Sequence, residues 1–186
     1  MLTLDLLATP IGEIDLVTDA EGRLRVLEFH DQPQRLARAL RLRHRGQMAE
    51  TGAAPMAVRA GLAAYFDGEL PALKTVPWTI GGTAFQQQVW NALVNIPVGE
   101  ATTYARLADQ IGRPSAVRAV GLANGANPIA LVVPCHRMIG TSGSLTGYGG
   151  GIDRKRWLLA HEGVQGDRWS DRRIRTEQQD PYATRA

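Results

Sequence analysis

The chain has 186 residues, of which 44% are hydrophobic and 21% charged, and its formal net charge is +3. These values are typical of a globular protein with a buried core, and no apolar run is long enough to span a bilayer. Its single cysteine excludes an internal disulfide and the usual cysteine-based zinc patterns, and its four histidines lack metal-ligand spacing. We therefore expect no metal, no cofactor and a cytoplasmic protein.

The amino-terminal half predicts a small α/β unit. Residues 2–7, 13–18 and 23–29 are strand-like, and the turn sequences at residues 9–12 and 19–22 separate them, which predicts a three-stranded β-meander. Helices are predicted over residues 34–45 and 55–67. Residues 68–82 contain prolines and glycines without periodicity, so they predict a linker with a domain boundary near Gly81 and Gly82.

The densest basic segment of the chain lies in the first predicted helix. Its members are Arg35, Arg38, Arg41, Arg43 and Arg45. A run of like charges on a helix is most often a solvated face, and this is the interpretation we adopt. The mildly positive net charge permits nucleic-acid binding without demonstrating it.

Short helices with clear caps are predicted beyond residue 82. Thr83 and Gln86 match a capping box at the start of one helix. A second helix begins near Tyr104 and ends at Gly112, and a third covers residues 116–125 with Ser115 as its cap. Two short helices joined by a tight turn form a helix-turn-helix pattern. Many helical hairpins that do not bind DNA have the same pattern.

The third of these helices contains unusually small residues at Ala119, Gly121, Ala123 and Gly125. Glycine inside a helix costs about 1 kcal/mol relative to alanine, so the pattern needs a reason. Small side chains allow either a DNA backbone or a neighbouring helix to approach closely, and the residues alone leave both open. Arg118 is the one long cationic side chain in this helix.

The segment from residue 129 to the end of the chain contains the cysteine. Residues 129–133 predict a strand, which Pro134, Cys135 and His136 follow. A glycine-rich loop covers residues 140–151, and Asp153 is predicted to cap a last helix that ends at Gly163. A polar tail of mixed charge covers residues 166–186.

The chemistry of Cys135 is ambiguous from residue types alone. A lone cysteine at the end of an apolar run is more often a small buried hydrophobic side chain. An activated thiol, however, requires a neighbour that accepts its proton, and His136 is adjacent. A carboxylate can fix the tautomer of such a histidine, and Glu162 is a candidate for this role. A cysteine hydrolase therefore stays open at this point.

Four blocks resemble the O6-alkylguanine-DNA alkyltransferases in order and spacing, most closely the bacterial Ogt type. They are "FQQQVWNALVNIPVGEATTYARLADQIG", "RAVGLANGANPIALVVPCHRMIG", "SGSLTGYGGG" and "RKRWLLAHEG". The resemblance covers residues 83–163, and the amino-terminal half resembles the family only in outline. It implies an α/β plus mainly α fold, with a small ribonuclease-H-like domain at residues 1–80 and a winged helix-turn-helix-like catalytic domain at residues 81–165.

The resemblance also implies roles for individual residues. Cys135 takes the alkyl group from guanine O6 and keeps it. His136 deprotonates the thiol through a water molecule, and Glu162 orients that histidine. Tyr104 donates a hydrogen bond to N3 of the leaving guanine. Asn127 ties the recognition helix to the active-site loop.

Further positions follow from the same resemblance. The DNA-contacting positions are Arg118, Ala119, Gly121 and Ser115, with Arg118 filling the gap left by a flipped-out base. The pocket positions are Pro134, Met138 and Tyr148. Because Gly147 and Gly149 flank Tyr148 without side chains, we expect a roomy loop that admits larger alkyl groups.

The resemblance favours DNA repair by direct reversal, in one irreversible transfer from O6-alkylguanine, or O4-alkylthymine, in double-stranded DNA. We expect a monomer in solution that clusters on DNA and makes no membrane contact. The main alternative is a non-catalytic lesion-binding protein of the alkyltransferase-like kind, although such relatives lack the cysteine. A winged-helix regulator would not need the cysteine–histidine–arginine block, and a cysteine hydrolase would turn over many times.

Overall fold

The computed structural model describes residues 1–164 and shows a mixed α/β fold. The elements in chain order are β1 (Leu2–Leu7), β2 (Ile14–Asp19), β3 (Leu24–Phe29), α1 (Pro33–Arg43), β4 (Ala49–Thr51), α2 (Met56–Phe66), α3 (Ala84–Val94), β5 (Thr102–Thr103), α4 (Tyr104–Gln110), α5 (Val117–Gly125), β6 (Met138–Ile139) and α6 (Ile152–His161). The predicted polar tail at residues 166–186 lies outside the described residues. No helix within residues 1–164 has the length and apolar content needed to cross a membrane.

The amino-terminal sheet confirms the predicted meander and adds one strand to it. Its order is β3-β2-β1-β4, with antiparallel pairs among the first three strands and β4 parallel to β1. Alternate side chains point to opposite faces of the sheet. Val17 and Val26 therefore pack with Ala39 of α1 on one face, while Leu16 and Leu27 join the main core on the other.

Residues 68–82, which the sequence predicts as a linker, pack against the sheet. It contains a 3₁₀ turn at Leu70–Thr75, and Leu73 and Val76 are buried in the main core. The backbone of Leu24 donates to Pro77 O at 2.8 Å and accepts from Thr79 N at 3.1 Å. The segment therefore extends the edge of the sheet at β3 and joins the two halves through shared core.

The predicted helices of the carboxy-terminal half are present, and two of their predicted caps differ. The Thr83 capping box begins α3 as predicted. Ser115 lies in a 3₁₀ turn at Pro114–Ala116 and makes no cap to α5, so that prediction is wrong. The extra turn moves the start of α5 to Val117, which places the serine hydroxyl too early to reach the first free backbone N–H groups.

The strand predicted over residues 129–133 is absent, and the segment forms buried turns. Ile129 makes only an isolated bridge to Leu27, and Leu131 has a φ of 68°. Within the segment, Val133 N donates to Ile129 O at 3.0 Å. The residues are apolar because they are buried on all sides, and a short apolar run does not distinguish that environment from a buried strand.

The predicted cap of the last helix is also different. Gly151, with a φ of 93°, is the N-cap of α6. Asp153 lies inside the first turn, where its carboxylate pairs with Arg156 at 2.8 Å on the surface. A carboxylate there still complements the positive end of the helix dipole, which explains its position without a capping hydrogen bond.

Two arginines of the basic segment bind the other half of the protein, so the solvated face is only part of its role. Arg35 pairs with Glu28 at 2.8 Å and reaches Asn127 O at 3.3 Å. Arg43 donates to Gly81 O at 2.9 Å and to Ala126 O at 2.6 Å. Cationic groups at the carbonyl end of a helix satisfy free acceptors there, so α1 stabilises the end of α5.

Removing this contact should weaken the protein measurably. Arg43 also lies over the Trp90 ring, 4.9 Å from its centroid. We expect Arg43→Ala to lower the free energy of unfolding by about 2 kcal/mol, from lost hydrogen bonds and lost cation–π contact. Arg41, which is exposed on the same helix, is the matched control. Arg41→Ala should change the free energy of unfolding by less than about 0.5 kcal/mol. Equal effects in urea denaturation would contradict the role assigned to Arg43.

Candidate active site

Cys135 lies at the start of a 3₁₀ turn at Cys135–Arg137, with 7% of its surface exposed. Burial raises the pKa of its thiol. Hydrogen bonding by Asn127 and the positive charges of Arg35 and Lys155 act in the opposite direction. The thiol is therefore protonated in the resting protein and surrounded by groups that stabilise negative charge once a base removes the proton.

A buried histidine–glutamate pair lies directly behind the cysteine. His136 and Glu162 are fully buried at their side chains, and Nε2 of the histidine is 3.1 Å from Oε1 of the glutamate. Because a carboxylate accepts, Nε2 carries the proton and Nδ1 keeps a lone pair. Nδ1 makes no hydrogen bond to any residue in the described part of the chain. Burial lowers the pKa of His136, so the ring is a neutral base at pH 7.

Three further donors hold the glutamate in place. Arg137 donates from Nε to Oε2 at 2.7 Å and from Nη2 to Oε1 at 2.8 Å, and its Nη1 binds Ile96 O at 2.6 Å. The hydroxyl of Tyr65, on α2, donates to Oε1 at 3.0 Å. Burial alone would raise the pKa of Glu162, but His136 and Arg137 hold it well below its usual range. The carboxylate is therefore ionised.

Asn127 connects the end of α5 to the turn before the cysteine. Its side chain is buried, donates to Val133 O at 2.8 Å and accepts from Ile129 N at 3.0 Å. The backbone N–H of Cys135 donates to the same Val133 carbonyl at 2.8 Å. The Val133 carbonyl thus accepts hydrogen bonds from the Asn127 side chain and from the Cys135 backbone, so the position of the cysteine depends on Asn127.

A cavity of about 20 Å³ opens beside Cys135, far too small for a purine base. Glu28, Arg35 and Tyr148 line it, together with Gly147, Asn124, Gly125, Ala130, Gly149 and Gly150. The expected room beside Gly149 is taken by Arg35, because a Cβ there would collide with the guanidinium group. Of the two glycines that flank Tyr148, only Gly147 has open space where a side chain would lie.

Two of the predicted pocket residues, Pro134 and Met138, do not line this cavity. Pro134 and Met138 are buried. Tyr104 begins α4, is half-buried, and its hydroxyl accepts from Thr146 Oγ1 at 3.3 Å. Tyr148 does line the cavity, and its hydroxyl is buried without a partner within residues 1–164. That hydroxyl is therefore able to bind a group that enters the cavity.

Lys155 is a charged residue of the site that sequence reasoning missed. It is fully buried, and its ammonium donates to Met138 O and, at 2.8 Å, to Thr146 O. Burial lowers its pKa to about 8, and the nearby Cys135 acts against this shift. It holds the glycine-rich loop beside the turn that contains the cysteine. Nothing in the α6 sequence pattern distinguishes it from the surface residue Arg156.

The predicted DNA-contacting residues lie in the turn before α5 and on two sides of this helix. Ser115, Arg118 and Ala119 are exposed. Gly121 instead faces α4, where a Cβ would lie in ordinary van der Waals contact, 3.8 Å from the Tyr104 ring, so packing against α4 does not require a glycine there. Leu122 was missed and is 77% exposed, on the same side of the helix as Arg118.

These contacts define a class of protein, one with a buried thiol next to a neutral histidine base that an ionised carboxylate orients. No group of three metal-binding side chains lies close enough to hold a metal ion within residues 1–164. The exposed face of a short helix ends close to the same thiol. This arrangement suits group transfer to sulfur from a substrate bound along that helix.

Comparison with known proteins gives the family. Residues 84–164 match the family model of the 6-O-methylguanine DNA methyltransferase DNA binding domain. The methylated-DNA–protein-cysteine methyltransferase of Salmonella typhimurium is 48% identical over 159 residues, which are 84% of this chain and 93% of that protein. The crystal structure of Mycobacterium tuberculosis OGT in complex with DNA matches with a TM-score of 0.73 at 43% identity, covering 87% of this chain and 92% of that one. The chain belongs to the methylated-DNA–protein-cysteine methyltransferase family.

Proposed function

We propose that the protein repairs DNA by direct reversal, moving an alkyl group from guanine O6 to Cys135. The observation that carries this proposal is the buried arrangement of Cys135, His136 and Glu162. Within residues 1–164, Nδ1 of the histidine has no hydrogen-bond partner, so it is available to accept a proton. His136 takes the thiol proton through a water molecule, and Glu162 stabilises the resulting imidazolium. Family membership supports both the reaction and DNA as the partner.

The bond changes balance without a cofactor. The thiolate of Cys135 attacks the alkyl carbon, so an S–C bond forms while the C–O6 bond breaks. The guanine leaves with the electron pair, Tyr104 donates a hydrogen bond to its N3, and the base takes up one proton. The product thioether has no low-energy route back. Each protein molecule therefore acts once, as reagent and catalyst together.

Delivery of the lesion requires a flipped-out nucleotide, because a guanine O6 inside a duplex cannot reach a buried sulfur. The exposed Ala119 lies on α5, which enters the minor groove, Ser115 contacts the DNA from the turn before this helix, and Arg118 fills the space of the departed base. A cavity of about 20 Å³ cannot hold the base, so Arg35 and Tyr148 move when it enters. Pro134 and Met138 support the walls of the enlarged pocket.

The finer organisation follows the same family pattern. Residues 1–80 form a ribonuclease-H-like unit, supported by the mixed four-stranded sheet. Residues 81–165 form a winged helix-turn-helix-like unit, supported by the packing of α4 on α5 and by the capping box that begins α3. The protein works in the cytoplasm as a monomer that clusters on alkylated duplex DNA.

The alternative, a lesion-binding protein without transfer activity, is not favoured. Such a protein has no use for a thiol, a neutral histidine and an ionised carboxylate buried together. The family relatives named above are methyltransferases. A binding protein would leave the alkylated base unchanged, and this provides the test.

The test mixes the protein with a duplex that contains one O6-methylguanine and measures the nucleosides after digestion. O6-methylguanine should disappear and guanine should replace it, without abasic sites, until one lesion per protein molecule has reacted. A matched duplex with O4-methylthymine decides whether that base is a second substrate. Binding with no loss of O6-methylguanine would establish a lesion sensor, and loss beyond one equivalent would establish a turnover enzyme.

A further inference from the structure

A hydroxyl from the amino-terminal half of the chain reaches the carboxylate behind the cysteine. Tyr65 lies on α2, is fully buried, and donates to Glu162 Oε1 at 3.0 Å across 97 positions of sequence. The same oxygen accepts from His136 Nε2 at 3.1 Å and from Arg137 Nη2 at 2.8 Å. The tyrosine therefore competes with the histidine for the lone pairs of one oxygen.

The position of Tyr65 is determined by the same end of α6 that presents the carboxylate. His161 Nε2 lies 2.8 Å from the carbonyl of Tyr65, and since a carbonyl only accepts, the ring nitrogen donates. The Tyr65 and His161 rings meet edge to face at 5.1 Å. Phe66 packs on the outer side of this contact against Trp157 and His161. Two adjacent residues, His161 and Glu162, thus hold both ends of the tyrosine.

We propose that Tyr65 is a positioning residue of the alkyl-transfer reaction, which holds Glu162 against His136 and weakens the attraction of the carboxylate for the imidazolium. The inference rests on the proposed function. It gives the amino-terminal half a direct part in the chemistry, because α2 supplies a hydrogen bond that the carboxy-terminal half lacks.

The electrostatics give the direction of the effect. Burial, together with Glu162, raises the pKa of Tyr65, so the hydroxyl keeps its proton and stays a donor. A donor on Oε1 withdraws negative charge from the carboxylate, which then stabilises protonated His136 less. The charged and titratable groups that face this pair from the packed elements are Cys135, Arg137, Tyr148, Lys155 and His161.

The sign of the pH dependence follows from this arrangement. Burial lowers the pKa of His136, so the native protein keeps its neutral base down to pH values below the ordinary pKa of histidine. In Tyr65→Phe the carboxylate attracts the imidazolium more strongly and the pKa of His136 rises. Because only neutral His136 accepts the thiol proton, the transfer rate then falls at a higher pH than in the native protein.

The experiment measures single-turnover transfer from a duplex with one O6-methylguanine between about pH 5 and 9. For Tyr65→Phe we expect the acid limb of the pH–rate profile to move to higher pH by about half a unit, so the transfer rate on that limb should be roughly threefold lower. On the plateau at higher pH, the rate should stay within about twofold of that of the native protein. Phe66→Leu, which alters the same α2–α6 packing without a polar atom, should leave the limb unmoved. The His136 ring titration by NMR in DNA-free protein should show the same upward shift.

The outcomes separate this inference from the proposed function. A rate lowered by one factor at every pH, or an unchanged profile, would overturn the positioning role of Tyr65. A native protein that transfers nothing in the same assay would instead overturn the proposed function. In a Glu162→Gln background, Tyr65→Phe should shift the limb no further, since the hydroxyl acts through the carboxylate. A further shift there would also overturn the inference.

Discussion

Replacing Arg137 with methionine is expected to lower the free energy of unfolding by about 3–5 kcal/mol. The Arg137 side chain is 6% exposed and makes two hydrogen bonds to Glu162, which is fully buried at its side chain. Methionine keeps much of the side-chain volume but leaves the carboxylate with His136 and Tyr65 alone. It also removes the donor to Ile96 O. A buried charge that loses its partner retains its full desolvation cost, which is why the effect is large.

The matched control is Arg156→Met, on the exposed side of α6. Arg156 pairs with Asp153 at 2.8 Å, but the aspartate side chain is 74% exposed. Surface pairs of this kind contribute little, so we expect a change within about 0.5 kcal/mol. Chemical denaturation of both variants measures the difference. Similar losses in the two variants would mean that the buried pair has no special role in stability.

Replacing Asn127 with alanine should affect stability and transfer together. The substitution leaves Ile129 N without its acceptor and removes one of the two donors to Val133 O. Unpaired buried backbone groups cost about 1–3 kcal/mol each, so we expect a loss of about 2–3 kcal/mol. The turn that carries Cys135 then shifts, and a displacement near 1 Å slows a positioned reaction by roughly 100-fold.

The control for this change is Asn91→Ala, an exposed position on α3. Alanine favours a helix at such a site, so stability should be unchanged or slightly higher and transfer should be native. Unfolding and single-turnover transfer are measured on the same preparations. An Asn127→Ala protein that is destabilised but transfers at the native rate would show that the asparagine does not position the cysteine.

Local features of the fold could be predicted from the sequence. Strand-like segments separated by turn sequences predicted the meander, because such turns depend only on residues that are neighbours in sequence. The capping box at Thr83 and Gln86 depends only on residues three apart. Some local features were nevertheless predicted incorrectly, as two helix caps show. Ser115 and Asp153 have the right side chains for caps, but a 3₁₀ turn before α5 and a glycine before α6 moved the true helix starts.

The contacts that build the site could not be predicted in this way, because they join distant elements. Arg137 and Glu162 are 25 residues apart, and Tyr65 and Glu162 are 97 apart. No periodicity connects such partners. The resemblance suggested Glu162 as the partner of His136, while Arg35 was assigned to a solvated face although it lies against the cavity. Each of these positions became clear only from burial and hydrogen bonding.

The central claim is that Cys135 itself receives the alkyl group, and intact mass tests it most directly. The protein is mixed with duplex DNA carrying one O6-methylguanine and weighed before and after reaction, beside the Cys135→Ser variant. We expect the native chain to gain the mass of one methyl group on the peptide that contains Cys135, limited to one per molecule. We expect Cys135→Ser to bind the duplex and gain nothing. DNA binding by the native protein with no change in mass, or a methyl group on any other residue, would contradict the account.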